Sequence, residues 1–466
     1  MTGFPLVIVF VIAIIVMIVA ISKFNIHAFF SILAVSLIFG LIGGIPLNNV
    51  TVDGKTVMGI ANVIGAGFSG TFTSIGIVII LGALIGMVLE ATGGAFKLAN
   101  MIIALVGRKY PVLAMQLMGW VVSIPVFCDS GFVILDPIRK ALVKKTRVSS
   151  VAMTVALSTG LYASHVFIPP TPGPIAAANT LFQGAGQPVN LLLVMALGVV
   201  VSIPALIPAL FYAGYIGKKE KSIEDIDIDG ATRSYEEIVA SYGKLPGGFV
   251  ALAPIVVPIL LMALGSIAAM AKWTGPLYQI LAFLGTPIIA LAVGVLFAVW
   301  QLADANKMDK FYDITNETLK IVGPILFITA AGGVLGRVIA STDIVNFIKS
   351  NATSLATIGI FFPFFLSAIL KTAQGSSTVA LVTTAGIVAP MMGALGLVSD
   401  VQIALTVMAI GAGAMTVSHA NDSYFWVVTN FGGLKPEQGY KTQTMATLIE
   451  GVGAMIGIWI LSLFIG

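Results

Sequence analysis

"PVLAMQLMGWVVSIPVFCDSGFVILDPIRK", residues 111–140, is a mostly apolar stretch that ends on basic residues. It contains one good apolar run, Pro111–Phe127, and after it only the short "GFVILDPI". Basic residues mark the cytoplasmic ends of membrane segments, and here they stand at both ends, at Lys109 and Arg139. The segment is therefore predicted to enter the membrane and return. Such a re-entrant hairpin requires a tip that is buried in protein or faces a water-filled cavity.

The rest of the chain is equally apolar. Of its 466 residues, 58% are hydrophobic and 9% are charged, with a mean hydropathy of +1.05. Runs of about 18 or more apolar residues recur, which is the length that a bilayer-spanning helix needs. We therefore predict an all-α polytopic membrane protein. The first run, Phe4–Ser22, lacks the basic start and cleavage site of a signal peptide and is interpreted as a retained helix.

Composition also excludes several classes of function. Cys128 is the single cysteine, so neither a disulfide framework nor a cysteine-based metal cluster is expected. The net charge of +4 does not indicate nucleic-acid binding, because the basic residues lie at the ends of apolar runs. No Walker A motif is present in the sequence, so ATP-driven transport is not supported. No cofactor and no metal site are predicted.

The charges predict an orientation. The polar segment 218–246 is expected to be a cytoplasmic linker between two membrane halves, and both termini are expected to be periplasmic. In the second half, Lys349 and Lys371 are the sparse charges expected on a periplasmic flank, together with Asp400. The other basic residues predicted to be cytoplasmic are Lys23, Arg108, Lys109, Arg139, Lys140, Lys144, Lys145, Arg147 and the group within 307–320.

The two halves resemble each other at an offset of about 250 residues, which indicates an internal repeat. We predict two repeats, 1–217 and 247–466, each with five spans and one hairpin, at 111–139 and 354–392. An odd number of spans turns the second copy upside down. This arrangement predicts an inverted-repeat secondary transporter with its site at paired broken helices. The matching stretches are "GALIG" from Gly82 with "GGVLG" from Gly332, "FCDSGFVIL" from Phe127 with "TAQGSSTVAL" from Thr372, and "SHVFIPPTPGP" from Ser164 with "SHANDSYFW" from Ser418.

With these blocks, and with "GSSTVALVTTAGIVAP" from Gly375, essentially the whole chain resembles the gluconate permease family. This family comprises the gluconate:proton symporters of bacterial inner membranes and belongs to the ion transporter superfamily. The resemblance implies a two-hairpin inverted-repeat fold, an elevator movement and transport of gluconate or a related sugar acid with protons. It leaves open a homodimer and a permease for glycerate or D-serine. Family members usually carry a Glu at the first hairpin tip and a His at the position of Thr171, and this chain departs at both places.

The hairpin tips are the first candidate for substrate binding. A helix that restarts after a turn presents free backbone N–H groups and about half a positive charge, which suits a carboxylate. The alternative is that the Ser and Thr residues merely cap these helices. The candidate residues are Asp129, Ser130 and Gly131 at the first tip, and Gln374, Gly375, Ser376, Ser377 and Thr378 at the second.

The two broken helices are the second candidate. The prolines of "IPPTPGP" interrupt a helix at residues 168–174, and Asn421 with Asp422 can cap a helix that restarts. Freed backbone groups must then be satisfied by protein, water or substrate. The alternative for "SHANDSYFW" is a plain N-cap at the interface. The candidate residues are Ser164, His165, Thr171, Gly173, His419, Asn421 and Asp422.

Four titratable residues are candidates for proton coupling. An ionised carboxylate near mid-membrane is costly, so Asp129 is expected to be protonated part of the time. Asp422 is a second candidate, and His165 and His419 occupy equivalent positions in the two halves. A purely structural role stays open for each.

Three further charged residues need partners. They are Asp136, and Arg337 with Lys371, which are the basic residues in or beside the second repeat that could balance the charge of an anion. Asp136 is expected to pair with Arg139 or Lys140. Arg337 lies within an apolar run and is expected to face the bundle interior, where Glu90 or one of the aspartates can pair with it.

Three functions remain compatible with these residues. A proton-coupled symporter for a small carboxylate agrees best with the predicted repeat. A passive channel is the second, and an intramembrane aspartyl protease with Asp129 and Asp422 as its dyad is the third.

Overall fold

The structure is a computed structural model that describes residues 3–24, 26–52, 54–106, 110–226, 245–270, 273–343, 359–419 and 422–465. Its architecture is a helical bundle, as predicted. Within the described ranges, seven helical segments are long and apolar enough to cross a membrane. Several shorter apolar helices lie between them. The predicted linker 218–246 falls largely outside the described residues, as do Arg108, Lys109 and the start of the second predicted hairpin.

Among the described residues, the first half contains ten helices, and a short eleventh helix follows in the linker. The helices are α1 (Phe4–Ser22), α2 (Ala28–Ile42), α3 (Ile60–Thr71), α4 (Ile77–Thr92), α5 (Gly94–Val106), α6 (Pro111–Val122), α7 (Cys128–Thr146), α8 (Ser150–Phe167), α9 (Pro172–Gly184), α10 (Leu191–Lys219) and the short α11 (Ile223–Ile226). A π-helical turn, Phe72–Gly76, joins α3 to α4.

The second half has helices in a similar order. They are α12 (Gly248–Met270), α13 (Pro276–Leu284), α14 (Pro287–Asp304), α15 (Phe311–Ala340), α16 (Phe361–Gln374), α17 (Ser377–Val388), α18 (Asp400–Met415), α19 (Ser423–Phe431), α20 (Pro436–Gly439) and α21 (Met445–Ile465). Short 3-10 turns lie at Met308–Lys310 and Ala389–Met391, and a π-helical turn at Tyr440–Thr444 precedes α21.

A small β-hairpin was not predicted. Strands β1 (Val50–Val52) and β2 (Lys55–Val57) pair antiparallel after α2. The sequence carries the local signal, because β-branched residues flank an Asp-Gly pair, and Gly54 has the positive φ of 73° that such a turn requires.

Burial separates an inner group of helices from an outer one. Every residue of α8 is buried, and so are most residues of α9, α17 and α18. In contrast, α1 and α13 expose large hydrophobic side chains, among them Phe4 and Phe283. A helix that is apolar all round and exposed on one side is suited to lipid contact. The inner helices therefore form the protein core, and the outer ones form its lipid-facing wall.

The predicted helix breaks are confirmed. The first lies between the end of α8 at Phe167 and the start of α9 at Pro172, where consecutive prolines cannot continue a helix. The second lies between the end of α18 at Met415 and the start of α19 at Ser423. Two inner helix pairs, α6–α7 and α16–α17, precede the breaks. The pair α6–α7 contacts α8, which ends at the first break, and the pair α16–α17 contacts α18, which ends at the second. These contacts bring the breaks and the turns of the pairs to one region of the core.

Candidate functional site

A cavity of about 430 Å³ lies where three helices begin, at the starts of α7, α17 and α19. A fourth helix, α15, forms its apolar wall with Ile321, Pro324, Ile325 and Ile328. The remaining lining residues are Phe127, Cys128, Asp129, Ser130, His165, Ser376, Ser377, Thr378, Val379, Val382, Asp422, Ser423 and Tyr424. The cavity thus combines carboxylates and hydroxyls with apolar surface inside a helical membrane bundle.

The three helix starts differ in how they are capped. The Asp422 carboxylate accepts from the Tyr424 N–H at the start of α19, and the Ser376 hydroxyl accepts from the Val379 N–H at the start of α17. At the start of α7, the N-cap residue Phe127 makes no side-chain cap hydrogen bond. Because the first N–H groups of a helix lack intrahelical partners, this start is the one most open to an anionic ligand.

Lys371 and Asp422 form a buried ion pair at the cavity wall. The Lys371 Nζ lies 2.6 Å from the Asp422 Oδ2, and the two residues are 1% and 5% exposed. The Lys371 ammonium also donates to the Gly375 carbonyl and lies 5.8 Å from the centre of the Tyr162 ring. Gly375 ends α16 with a left-handed φ of 89°, which turns its carbonyl toward the lysine without steric cost.

Asp422 is the most fully hydrogen-bonded carboxylate of the site. In addition to Lys371, its Oδ2 accepts from the Ser418 hydroxyl at 2.5 Å, and its Oδ1 accepts from the Tyr424 N–H at 3.0 Å. Three donors on one buried carboxylate stabilise its ionised form.

Asp129 has weaker partners. Its carboxylate accepts from the Ser423 hydroxyl at 3.3 Å and lies 3.8 Å from the Cys128 thiol. It is partly exposed in the cavity and stands in the first turn of α7, beside the uncapped N–H groups. The next residue, Ser130, hydrogen-bonds with Glu90 of α4, so a third carboxylate reaches the edge of the site.

His165 lines the cavity with a free ring nitrogen. Its side chain is buried, and its Nδ1 has no hydrogen-bond partner among the described residues. The ring packs 5.9 Å from that of Phe127. His419, its counterpart in the second half, does not line the cavity, and its Nε2 lies 3.1 Å from the Thr372 carbonyl.

The structure thus brings seven of the predicted binding residues to one cavity. They are Asp129, Ser130, His165, Ser376, Ser377, Thr378 and Asp422. Asn421 lies outside the described residues, and nothing is described of the Gln374 side chain.

The other predicted residues have packing or capping roles. Thr171 is buried, and its hydroxyl lies 2.9 Å from the carbonyls of His165 and Ile168. It therefore supplies a hydrogen-bond donor to backbone carbonyls at the first helix break. The Ser164 hydroxyl bonds back to the Leu161 carbonyl within α8. A Cβ on Gly131 would meet the Leu161 side chain, and one on Gly173 would meet Leu381. These two glycines therefore permit close helix packing.

Two predictions about basic residues are wrong. Lys371 is not a sparse charge on a periplasmic flank, because it is buried against Asp422. Arg337 does not face the bundle interior; its side chain is exposed in the last turn of α15. A long basic side chain near a helix end can extend to the membrane interface, which explains how an apolar run accommodates it.

The prediction for Asp136 is confirmed. It contacts both Arg139, at 2.6 Å, and Lys140, at 2.8 Å. Arg139 is fully buried and also bonds Glu224 of α11. The basic end of α7 and the start of the polar linker therefore lie on the same side of the protein, as their predicted cytoplasmic location requires.

Sequence reasoning missed several residues of the cavity. Lys371 was predicted as a flanking charge and as one of two cations that could balance an anion, but its partner Asp422 was not predicted. Phe127, Ser423 and Tyr424 were not assigned to binding. The wall from α15 was missed as well, because nothing local in an apolar run indicates which helix faces it. Pro324 within α15 was the available signal, since an internal proline marks a helix irregularity. No group of three or more potential metal ligands occurs among the residues that the structure describes.

A bundle of membrane-length apolar helices around a polar cavity defines a multi-pass membrane transport protein. Two solved transporters share its fold. The YdaH transporter of Alcanivorax borkumensis matches with a TM-score of 0.63 at 15% identity, over 93% of this chain and 96% of that one. MtrF of Neisseria gonorrhoeae, described among antimetabolite efflux pumps, matches with a TM-score of 0.65 at 14% identity, over 96% and 97%. At these identities the likeness concerns the fold alone.

The chain belongs to the GntP family of permeases, which it matches over residues 4–464. It is 33% identical to an uncharacterized permease of Haemophilus influenzae, over 98% of this chain and 92% of the relative. It is 31% identical to the inner membrane permease YgbN of Escherichia coli, over 96% of each, and 29% identical to the high-affinity gluconate transporter of the same species, over 99% and 100%. The protein is a permease and not an enzyme, so the protease interpretation is wrong.

Proposed function

We propose that this permease imports gluconate or a related small sugar acid across the bacterial inner membrane together with protons. The observation that carries the proposal is the buried Lys371–Asp422 pair at the wall of a polar cavity. The names of the gluconate transporters among the relatives support the substrate class. Glycerate and D-serine are the alternative substrates, and a passive channel is the alternative mechanism.

The cavity is suited to a polyhydroxy carboxylate. Its volume of about 430 Å³ lies within the usual range for small-ligand sites. The uncapped start of α7 offers N–H groups and a positive dipole end for the carboxylate. Around it, Ser130, Ser377, Thr378 and Ser423 supply hydroxyls that both donate and accept, which matches the hydroxyls of a sugar acid.

The ion pair offers a route to proton coupling. While Asp422 is ionised, its carboxylate balances the positive charge of Lys371. A proton on Asp422 removes that negative charge and leaves Lys371 as the buried cation, which a substrate carboxylate then compensates. Proton binding and substrate binding therefore favour each other, and this coupling is reciprocal by linkage.

Asp129 contributes to the same coupling. A negative charge there stands beside the uncapped start of α7 and repels a carboxylate ligand. Its protonation lowers that repulsion. His165, with its free Nδ1, is a further group that can hold a proton or donate to the substrate.

We also propose that the chain moves its site by an elevator movement of two inverted repeats, 1–217 and 247–466. The similar helix order supports the repeats: in each half a helix pair precedes a broken helix and a long helix, α10 or α21. The pairs α6–α7 and α16–α17 are proposed to be the two re-entrant hairpins. Periplasmic termini and a homodimer are part of the proposal.

Transport into proteoliposomes tests the function. Purified protein is reconstituted, a pH gradient is imposed with the lumen alkaline, and uptake of labelled gluconate is followed with sodium replaced by choline. We expect accumulation that collapses when a protonophore is added. A panel of unlabelled aldonates, glycerate and D-serine then ranks the substrates by competition.

Counterflow separates a carrier from a channel. Liposomes loaded with unlabelled gluconate should take up the labelled form transiently above its external concentration, which a channel cannot do. Accumulation that requires sodium, or an absence of counterflow with every acid of the panel, would contradict the proposed function.

A further inference from the structure

The ammonium group of Lys371 lies at the C-terminal end of an inner helix. Lys371 stands in the last turn of α16, and its ammonium donates to the carbonyl of Gly375, the residue that follows this helix. The last carbonyls of a helix lack intrahelical partners, and together they carry about half a negative charge. The ammonium therefore occupies a place to which a helix end attracts a cation.

Two further groups surround the ammonium. The Asp422 Oδ2 lies 2.6 Å from the Lys371 Nζ, and it also accepts from the Ser418 hydroxyl at 2.5 Å. The centre of the Tyr162 ring lies 5.8 Å from the same Nζ, within the range over which an aromatic face attracts a cation. A carbonyl, a carboxylate and an aromatic face attract a cation by its charge, so these groups are not specific for an ammonium.

The same kinds of group hold free coupling ions in secondary transporters. There, unwound backbone carbonyls and the C-terminal ends of half-helices coordinate sodium ions or protons near the midplane of the membrane. In this protein a lysine side chain occupies such a place. Lys371 is 1% exposed, so its charge depends on the carbonyl and the carboxylate around it and not on water.

The cavity gives access to this place. Asp422 lines the cavity, and so do Ser376 and Ser377, which follow Gly375. Lys371 is buried beside Asp422 and does not line the cavity itself. A shorter side chain at this position would leave space next to a carboxylate that faces the cavity. A small cation can enter that space from the cavity.

We propose that Lys371 is a tethered cation that fills a monovalent-cation site, formed by the Gly375 carbonyl, the Asp422 carboxylate and the Tyr162 ring. The ammonium supplies the positive charge that an alkali ion would otherwise bring to the site of an anionic substrate. When the lysine side chain is removed, the site takes up a sodium ion. This role rests on the proposed proton symport and explains why that symport needs no sodium.

Exchange of labelled for unlabelled gluconate by Lys371→Ala tests the proposal. Purified protein is reconstituted, and exchange is measured with sodium chloride or choline chloride at equal concentration on both sides. In choline, we expect exchange to fall by about tenfold or more, since the Asp422 carboxylate lacks its cation. Sodium should restore exchange severalfold in Lys371→Ala and should leave the unmodified protein unchanged.

Two further variants show where sodium acts. The double variant Lys371→Ala with Asp422→Asn removes the anion of the site, so sodium should not change its exchange. Lys320→Ala is the matched control, because the Lys320 side chain is exposed on α15. It should behave like the unmodified protein in both salts.

Thermal unfolding in detergent gives a readout that needs no transport. A ligand that binds only the folded state raises the melting temperature. Relative to choline chloride at equal ionic strength, sodium chloride should raise the melting temperature of Lys371→Ala but not that of the unmodified protein. Lys371→Asn is measured in parallel because its side chain fills more of the space and adds an amide oxygen as a ligand. It should respond to sodium in the same way.

Each other outcome has a defined meaning. Equal exchange and equal melting temperatures of both single lysine variants in the two salts would overturn the proposal. Failure to purify either variant in buffer that contains sodium would also overturn it, because sodium would then not replace the ammonium. An equal sodium response in the double variant would place the ion elsewhere, with the same consequence.

Failure of the proposed function would look different. Stimulation of the unmodified protein by sodium, or an absence of gluconate exchange in it, would contradict the proposed proton symport of gluconate. The melting temperatures of the lysine variants would still decide whether the cation site exists.

Discussion

Lys371 at the end of α16 and Asp422 at the start of α19 are joined across 51 sequence positions by a 2.6 Å ion pair. The pair ties the second inner helix pair to the second broken helix. Both side chains are buried, so the pair is screened little by solvent and the loss of either partner leaves an uncompensated charge. The stability of this region and the proposed coupling therefore depend on the same contact.

Removal of Lys371 should destabilise the protein. Lys371→Met leaves the Asp422 carboxylate buried without its cation, at a cost of about 3–5 kcal/mol. The double variant Lys371→Met with Asp422→Asn removes both charges and should recover most of that loss. Thermal unfolding in detergent measures both. Equal melting temperatures for the single variant and the unmodified protein would show that the pair contributes nothing to stability.

Ser376 and Ser377 should respond differently to substitution. The Ser377 hydroxyl lines the cavity and bonds Tyr162, so Ser377→Ala should raise the half-saturation concentration for gluconate by roughly 3–10-fold with unchanged abundance. Ser376 caps α17, and Ser376→Ala should lower stability by about 1 kcal/mol. Uptake kinetics and melting temperature separate the two effects. A fall in abundance that parallels the fall in uptake for Ser377→Ala would make it structural.

Accessibility should place both ends of the α6–α7 pair on one side of the membrane. Tyr110 precedes α6, Lys144 lies near the end of α7, and both are exposed. In a background with Cys128→Ser, Tyr110→Cys and Lys144→Cys should both react with a membrane-impermeant maleimide only when the cytoplasmic face is accessible. Labelling from opposite faces would refute the re-entrant hairpin.

Acid should release the contact between α11 and α7. Burial alone would raise the pKa of Glu224, but hydrogen bonding and charge from Arg139, with Ser150 and Lys140, hold that pKa below its ordinary value of 4.5. A carboxyl group with a lowered pKa stabilises the folded state fully above the ordinary value, and this contribution is lost as the pH falls through the folded pKa.

The melting temperature of the unmodified protein should therefore fall more steeply below pH 4.5 than that of Glu224→Gln. Glu437→Gln, which changes an exposed glutamate, should follow the unmodified protein. Parallel pH profiles for all three proteins would contradict a stabilising role for Glu224.

Much of the fold could be predicted because its signals are local. Apolar runs of membrane length indicated the helices, and the prolines of residues 168–174 indicated the first break. The partners of buried charges could not be predicted in this way. Lys371 and Asp422 are far apart in sequence, and only the packing of α16 against the break after α18 brings them together.

The candidate site was predicted in part for the same reason. Residues at the turns and breaks, such as Asp129 and Ser377, could be assigned because broken helices are where transporters bind ligands. The α15 wall lies inside an apolar helix, where sequence gives no indication of which face is internal. Arg337 shows the opposite case. The apolar run around it indicated an internal side chain, but Arg337 lies three residues before the end of α15, so its side chain can reach the membrane interface.

The most direct test of the account is the transport behaviour of Asp422→Asn in proteoliposomes, with Asp129→Asn measured in parallel. Asparagine keeps the size of Asp422 but cannot release a proton. The account predicts that Asp422→Asn loses accumulation of gluconate driven by a pH gradient but retains exchange of labelled for unlabelled gluconate, which needs no net proton movement. Accumulation by Asp422→Asn at the level of the unmodified protein would contradict the account, and full accumulation by Asp129→Asn as well would leave His165 and His419 as the next candidates for coupling. Loss of exchange in Asp422→Asn would show that Asp422 serves binding and not coupling.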